Sequence, residues 1–152
     1  MLASGSNAPA FELPGDDGES HSLQALLGNG PLVLYFYPAD FTPGCTREAC
    51  SLRDMHTELV DAGLQVVGVS PQDVDSHVRF KAEYSLPFRL LSDVDKSVIK
   101  TYDADGPLGI GVRRITYLIE TDGTIRDGVQ ADLRVARHTE FVRKAASLAA
   151  SD

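Results

Sequence analysis

The two cysteines of the chain, Cys45 and Cys50, lie five positions apart in the segment FTPGCTREACSLRD, residues 41–54. The spacing is not Cys-x-x-Cys, and zinc needs about four ligands, whereas the chain has no second cysteine pair. Two interpretations follow: cysteines buried in the core, or a pair of thiols that undergoes redox chemistry. The core interpretation fits Cys50 better than Cys45, because free cysteine is often buried but Cys45 follows a Pro-Gly bend.

Cys45 lies where an apolar strand passes into a predicted helix. Pro43 and Gly44 form the bend, and the helix is expected to begin within residues 42–45. A thiol in the first turn of a helix meets unpaired backbone N–H groups and the positive end of the helix dipole. Both favour the thiolate, which is the nucleophilic form, and a nearby guanidinium would favour it further.

Cys50 is expected further along the same helix, where the two sulfurs cannot bond. In an ideal helix, the Cα atoms of residues i and i+5 are about 8–9 Å apart, and the side chains point about 140° apart around the axis. A disulfide tolerates a Cα separation of about 7 Å at most. If Cys45 and Cys50 form a disulfide, the first turns of the helix must therefore unwind.

The elements that position these cysteines are predicted from apolar periodicity and turn residues. Strands are expected in a hairpin over residues 10–23, in the buried runs 31–38, 64–70 and 87–93, and in a second hairpin over 113–129. Helices are expected over residues 46–63, 71–86, 94–104 and 138–150. Residues 105–112, rich in glycine, are expected to form a loop.

Three of the helices have a predicted apolar face. For the first it consists of Ala49, Leu52, Met55, Leu59 and Val60, with Gly63 as the cap. For the second it consists of Val74, Val78, Phe80 and Tyr84. The last helix is expected to begin at Thr139 as N-cap and to bury Phe141, Val142, Ala145 and Leu148. The four histidines, His21, His56, His77 and His138, match no ligand spacing and are expected at the surface or in minor packing roles.

The order of these elements predicts the fold class. β-α-β-α-β units come first, and a hairpin and a helix close the chain, so a mixed sheet with helices on both faces is expected. This arrangement fits an α/β thioredoxin-like sandwich with an N-terminal β-hairpin. A length of 152 residues fits one domain, residues 1–152.

Composition restricts the partners and the location. The formal net charge of −8 disfavours nucleic acid and anionic lipid, because both reward clustered Lys and Arg. No apolar run approaches the roughly 20 residues of a membrane span, and no secretory signal is expected at the N-terminus. Two cysteines are too few for a secreted disulfide scaffold, so a reducing cytoplasm is expected.

The stretch FYPADFTPGCTREACSLRD, residues 36–54, resembles the active-site segment of peroxiredoxins, most closely the peroxiredoxin Q or bacterioferritin-comigratory branch. The Pro-x-x-x-Thr-x-x-Cys signature of that family is present as Pro38, Thr42 and Cys45, and Glu48 stands where the family has Glu. Similar flanks are APAFELP, residues 8–14, VVGVSPQDVDSHVRFKAEYSLPFRLLSD, residues 66–93, and RRITYLIETDG, residues 113–123. The resemblance therefore covers nearly the whole chain.

The resemblance implies a role for each residue of the signature. Cys45 would attack the O–O bond of a peroxide and become a sulfenic acid. Thr42 would hydrogen-bond the thiolate and the peroxide, although a simple helix N-cap is its alternative role. Pro38 would shield the thiolate from water, or it only ends the strand. Glu48 would orient an arginine, although an exposed helix position is the commoner fate of such a residue.

The arginine of the family stands at the start of a late strand, where this chain has both Arg113 and Arg114. Alternation along a strand allows only one of them to face the site. The register of the resemblance selects Arg114, directly before the run ITYLIE, and leaves Arg113 as a solvated strand end.

The resemblance also implies how the reaction would be completed. Cys50 would resolve the sulfenic acid of Cys45 as an intramolecular disulfide, and thioredoxin or a glutaredoxin-type reductant would reopen it. No metal, haem or flavin is expected, and a monomer or weak dimer is allowed. Two alternatives remain: a thioredoxin-like dithiol oxidoreductase acting on protein disulfides, and a non-enzymatic binding domain with incidental cysteines.

Overall fold

The computed structural model describes residues 1–151, and its strands form two sheets. The strands are β1 (Glu12–Pro14), β2 (Ser20–Ser22), β3 (Leu32–Phe36), β4 (Gln65–Ser70), β5 (Arg89–Ser92), β6 (Ile115–Ile119) and β7 (Ile125–Gln130). The helices are α1 (Leu23–Leu27), α2 (Pro43–Asp54), α3 (His56–Asp61), α4 (Val74–Tyr84), α5 (Ser97–Thr101) and α6 (Val135–Ser151). A short 3₁₀ turn, Pro107–Gly109, lies in the predicted glycine-rich loop.

The main sheet has five strands in the order β5-β4-β3-β6-β7. Strands β3, β4 and β5 run parallel, whereas β6 and β7 pair antiparallel with β3 and with each other. Strands β1 and β2 form the separate antiparallel hairpin that the sequence predicted. The central strand β3 is buried along its whole length, because both faces of the sheet are covered.

Alternation along β3 divides the core into two layers. Leu32 and Leu34 point into one layer, which also holds side chains of α1, α5 and β1. Val33 and Tyr35 point into the other layer, which holds side chains of α2, α3, α4 and α6. Within residues 1–151, none of the helices combines the length and apolarity that a bilayer crossing needs.

The helix predicted over residues 46–63 is two helices. Met55, at φ −94° and ψ −2°, separates α2 from α3, and Leu59 of α3 packs into the core. Val60, which was predicted to be buried, is 54% exposed. Gly63 follows the end of α3 at φ +80°, a left-handed conformation that glycine adopts at little cost, as its predicted capping position requires.

The last helix also differs from its prediction. It begins at Val135, one turn before Thr139, so the prediction of Thr139 as N-cap is wrong. Its buried stripe runs through Val135, His138 and Val142 to two alanines, whereas Leu148 is 43% exposed. In α4 the apolar face is likewise rotated: Val78 is exposed and His77 is fully buried. The histidines were expected at the surface or in minor packing roles, and for His77 and His138 the surface position is wrong because both are buried.

Candidate active site

Cys45 lies in the first turn of α2, at the end of the sheet where β3 leaves the core. Thr42, the residue before the helix, is extended at φ −72° and ψ 149°, and Pro43 is the first helical residue. The Cys45 side chain is buried in the layer that contains α2 and α6. The sulfur is therefore held at a helix N-terminus and largely shielded from solvent, where unpaired N–H groups favour negative charge.

Arg114 reaches this sulfur from the strand side. Its Nη2 donates to Sγ of Cys45 at 3.3 Å, and its Nη1 donates to Oε1 of Glu48 at 2.9 Å. The Arg114 backbone is fixed as well: its N–H donates to Oδ1 of Asp132 at 2.8 Å, and its carbonyl accepts from Ala131 at 3.2 Å. A buried guanidinium held in this way presents one fixed edge to Cys45.

Arg113 turns away from the site. Its Nε donates to the carbonyl of Asp105 at 3.1 Å, and its own N–H donates to the carbonyl of Ala104. The two neighbouring arginines thus lie on opposite faces of the chain, and the structure brings Arg114 to Cys45.

Gly44 provides the space for this contact. A Cβ atom built on Gly44 would lie 3.1 Å from Nη2 of Arg114 and 4.0 Å from Cγ2 of Val135. The first of these distances is tighter than an ordinary van der Waals contact. Glycine directly before Cys45 therefore lets the guanidinium approach the sulfur closely.

Glu48 lies one turn along α2 from Cys45 and is fully buried. Burial raises the pKa of its carboxyl to about 7, although the charge and hydrogen bond of Arg114 oppose that rise. Burial disfavours the charge of Arg114, yet pairing with Glu48 and Cys45 raises the pKa of the guanidinium overall. Arg114 therefore stays positive beside the sulfur, while Glu48 changes charge near neutral pH.

His138 of α6 completes this cluster. Its Nδ1 lies 2.8 Å from Oγ1 of Thr116 and 3.5 Å from Oε2 of Glu48, and its Nε2 lies 2.9 Å from the carbonyl of Ala131. Because a carbonyl only accepts, Nε2 carries a proton, and the Thr116 hydroxyl can donate to Nδ1. Burial lowers the pKa of His138. Among the described residues, no group hydrogen-bonds Oε2 of Glu48.

The sequence interpretation missed His138, although a signal was present. His138, Val142 and Ala145 follow one another at helical spacing, so a polar residue stands on the apolar stripe of α6. A histidine in such a position must find hydrogen-bond partners in the core.

Thr42 and Pro38 flank the sulfur in the connection between β3 and α2. The Thr42 hydroxyl donates to the carbonyl of Ala39 at 3.0 Å and makes no capping hydrogen bond, so the N-cap alternative is not what its side chain does. The last sheet-like hydrogen bond runs from Tyr37 N–H to the carbonyl of Val69. Pro38 follows it and has no N–H to continue the ladder.

Cys50 is half-buried in α2, and both cysteines are free thiols. Helix α2 is continuous from Pro43 to Asp54. Cys45 and Cys50 therefore stand at positions i and i+5 of one intact helix, where a disulfide between them cannot form.

A group of potential metal ligands occurs in the N-terminal hairpin, outside this site. Asp17, Glu19 and His21 have ligand atoms within 4.8 Å of one another. Nε2 of His21 already lies 2.9 Å from the Asp17 carboxylate. The arrangement resembles a hydrogen-bonded turn, and nothing connects it with the chemistry of Cys45.

Comparison with known proteins identifies the family. The family model described as AhpC/TSA family matches residues 4–127. The chain belongs to the AhpC/TSA family. This AhpC/TSA protein is 39% identical over 127 residues to peroxiredoxin Bcp of Bacillus subtilis, covering 80% of each chain. It is 43% identical over 126 residues to the chloroplastic peroxiredoxin Q of Suaeda salsa, covering 82% of this chain and 58% of that protein.

The relatives just described are named peroxiredoxin Q and peroxiredoxin Bcp, which places the chain in that branch of the AhpC/TSA family. A solved structure agrees with this placement. Peroxidoxin BcpB from Mycobacterium tuberculosis superposes with a TM-score of 0.85 at 33% identity, covering 95% of this chain and 98% of that one. The predicted thioredoxin-like fold is confirmed by this likeness, together with the mixed five-stranded sheet and the N-terminal hairpin.

Proposed function

We propose that this AhpC/TSA protein is a thiol-dependent peroxidase that reduces hydrogen peroxide and organic hydroperoxides through Cys45. The observation that supports this most directly is the 3.3 Å contact between Nη2 of Arg114 and Sγ of Cys45. A permanent cation beside a sulfur at a helix N-terminus stabilises the thiolate that peroxide chemistry requires. The same cation can stabilise negative charge on the peroxide oxygens.

The first half of the reaction transfers one oxygen. The Cys45 thiolate attacks one peroxide oxygen, an S–O bond forms and the O–O bond breaks. Sulfur loses two electrons and becomes the sulfenic acid, and the departing alkoxide or hydroxide takes a proton to leave as alcohol or water. In the transition state, charge moves from sulfur towards the departing oxygen, so a donor that reaches both atoms lowers the barrier.

The neighbouring residues are proposed to orient this step. The Thr42 hydroxyl donates to Ala39 and keeps its lone pairs free to accept from the O–H of a peroxide. Glu48 holds the other guanidinium nitrogen of Arg114 and so fixes its orientation. Pro38 limits the access of water to the sulfur from the end of β3.

Cys50 is proposed as the resolving thiol. Its thiolate attacks the sulfur of the Cys45 sulfenic acid, hydroxide leaves and takes a proton to become water, and a disulfide closes within one chain. Helix α2 must unwind around residues 45–50 for this step. Thioredoxin or a glutaredoxin-type dithiol would supply two electrons to reopen the bond, through a mixed disulfide that the unwound segment makes accessible.

The domain organisation, the compartment and the oligomeric state are also proposed. We take residues 1–152 as one domain, because both core layers share the same sheet. Reduced Cys45 and Cys50 need a reducing compartment such as the cytoplasm. Resolution within one chain needs no second subunit, so a monomer or weak dimer suffices.

Two assays separate the peroxidase from its alternatives. The purified protein with a thiol reductant should consume peroxide rapidly and leave insulin disulfides largely intact. A dithiol oxidoreductase should reduce insulin and consume peroxide slowly, whereas a binding domain should do neither. Loss of the peroxidase activity in Cys45→Ser is the control that ties the activity to this site.

A further inference from the structure

A buried polar cluster lies beside the connection between β3 and α2. Within residues 1–151, its hydrogen bonds do not include the sulfur of Cys45. Its centre is Asp40, whose carboxylate accepts three hydrogen bonds: from the Tyr37 hydroxyl at 2.6 Å, from Oγ of Ser76 at 2.7 Å and from Nδ1 of His77 at 2.8 Å. Burial would raise the pKa of Asp40, yet the bonds from His77 and Tyr37 lower it overall. Asp40 is therefore a fully hydrogen-bonded buried carboxylate.

His77 has a hydrogen-bond partner at each ring nitrogen. Its Nε2 lies 3.0 Å from the carbonyl oxygen of Leu91, which can only accept a hydrogen bond. Its Nδ1 faces the Asp40 carboxylate, which also only accepts. Nδ1 therefore carries the proton that bonds Asp40, and the side chains of His77 and Asp40 have no exposed surface. Two buried polar side chains cost desolvation energy, so their presence in the core needs a specific explanation.

The conformation of the connection supplies that explanation. Phe41, next to Asp40, has φ +67°, a left-handed conformation that is strained for a non-glycine residue. Its ring packs edge-on against Phe80, with centroids 5.2 Å apart, and lies near Tyr84. Asp40 and Phe41 are thus both attached to α4, one through polar bonds and one through aromatic contacts. A strained conformation persists only where its surroundings fix it in this way.

The held conformation determines where Thr42 stands. With Phe41 left-handed, the Thr42 hydroxyl donates back to Ala39, and the next residue begins α2. We propose that Asp40 and His77 are positioning residues for peroxide reduction, whose hydrogen bond holds residues 38–42 so that Thr42 faces a peroxide at Cys45. This inference rests on the proposed peroxidase function.

A residue that only stabilises the fold must be distinguished from one that positions Thr42. Iodoacetamide makes this distinction, because its reaction needs the Cys45 thiolate but no alignment of two peroxide oxygens. Loss of positioning lowers the rate with hydrogen peroxide and leaves the rate with iodoacetamide unchanged. Damage around Cys45 changes both rates together.

The experiment compares both rate constants in a Cys50→Ser background, so that Cys45 is the only thiol. Asp40→Asn and His77→Asn should lower the rate of sulfenic acid formation by about 10–100-fold, since a misplacement of about 1 Å costs on the order of 10²-fold. Alkylation by iodoacetamide should stay near the unsubstituted value. Lys81→Met is the matched control. Nζ of Lys81 also joins α4 to a carboxylate, Oδ2 of Asp16 at 2.8 Å, but this pair lies outside the Asp40 cluster. It should leave both rates unchanged.

Tyr37→Phe keeps the test decisive if the Asp40 and His77 variants do not fold, since it removes one donor to Asp40 and keeps the ring stacked on Tyr35. It should lower the peroxide rate selectively, by a smaller factor. Peroxide rates within twofold of the background in the folded variants would overturn the inference, as would a parallel loss of both rates. Failure of the proposed function is a separate result, because then the Cys50→Ser protein itself would not react with peroxide.

Discussion

Nη2 of Arg114 lies 3.3 Å from Sγ of Cys45, although 69 positions of sequence separate the two residues. The contact joins the first turn of α2 to the start of β6, so it exists only when the sheet and the helix are both in place. Glu48 binds the other terminal nitrogen of the same guanidinium at 2.9 Å. The cation is therefore held by two fixed partners and has little freedom to move away from the sulfur.

Removing this guanidinium should slow the oxidation of Cys45. Arg114→Ala should lower the rate constant with hydrogen peroxide by about 10²–10³-fold, the usual effect of losing one donor to a charged transition state. Arg114→Lys should recover only part of the loss, because an ammonium cannot bridge Cys45 and Glu48 as a planar fork does. Stopped-flow measurement of the first turnover gives these rates.

Arg113→Ala is the control for Arg114. Its side chain bonds the carbonyl of Asp105 and should leave the first turnover unchanged. A larger loss in Arg113→Ala than in Arg114→Ala would contradict the assigned register.

The buried carboxyl of Glu48 should make stability depend on pH. Its pKa is about 7 in the folded protein against a reference value of 4.5, so the folded state binds more protons between these pH values. Burying this carboxyl costs no stability below about pH 4.5, because it is protonated in both the folded and the unfolded protein. The cost grows as the pH rises and reaches its full size above about pH 7. Glu48→Gln cannot ionise and should escape this loss.

The prediction is tested by urea unfolding at several pH values, with Cys45→Ser in both proteins so that no thiolate titrates at the site. The free energy of unfolding of the Glu48→Gln variant, minus that of its parent, should rise by a few kcal/mol from about pH 5 to about pH 8. Glu58→Gln, at an exposed position of α3, is the matched control. If the difference in the free energy of unfolding falls as the pH rises, the Glu48 carboxyl ionises more easily in the folded than in the unfolded protein, which would contradict the prediction.

The Thr42 hydroxyl should matter more than the shape of its side chain. Thr42→Val keeps the branched shape but loses the bond to Ala39 and the lone pairs offered to a peroxide, so it should slow sulfenic acid formation by about 10²-fold. Thr42→Ser keeps the hydroxyl and should retain most of the rate. Equal rates in the two variants, measured by competition for limiting peroxide, would remove Thr42 from the proposed mechanism.

Formation of the disulfide should unwind α2 and leave α3 folded. Ala49 and Leu52 hold α2 against the sheet in the reduced state and must lose contact when the first turns open. Met55 already interrupts the helical axis, and Leu59 anchors α3 separately. Hydrogen exchange should therefore rise over residues 45–52 on oxidation and stay low over α3.

The exchange measurement has its own control in Cys50→Ser, which cannot form the bond and should keep its protection when treated with peroxide. Equal protection of residues 45–52 in the reduced and disulfide forms, with the bond verified by mass, would contradict unwinding. A disulfide found only between two chains would instead indicate resolution by a second subunit.

Patterns that depend on neighbouring residues allowed most of the fold to be predicted. The run from Leu32 to Phe36 is apolar on both faces and became the central strand. Alternation allowed only one of Arg113 and Arg114 to face the site, and the register of the resemblance selected Arg114. The position of Cys45 in the first turn of α2 followed from Pro43 and Gly44. These features depend on local geometry that sequence spacing determines.

Other features depend on tertiary contacts that spacing does not reveal. His77 and His138 were expected at the surface or in minor packing roles. Their buried hydrogen bonds were not predicted, because residues distant in sequence, Asp40 and Thr116, supply the partners. The start of α6 was placed too late, since Thr139 is a good capping residue, whereas the burial of Val135 extends the helix by one turn. The hydrogen bonds of His77 and His138 were therefore found only in the structure.

Intact-mass measurement after one equivalent of hydrogen peroxide tests the central claim, that Cys45 is the residue oxidised by peroxide and Cys50 the residue that resolves it. The unsubstituted protein should lose two hydrogen atoms as the disulfide forms within one chain, and Cys50→Ser should gain one oxygen atom on Cys45. Cys45→Ser should keep its mass over the same time. Rapid oxidation of Cys45→Ser, or an unsubstituted protein whose mass does not change, would contradict the account.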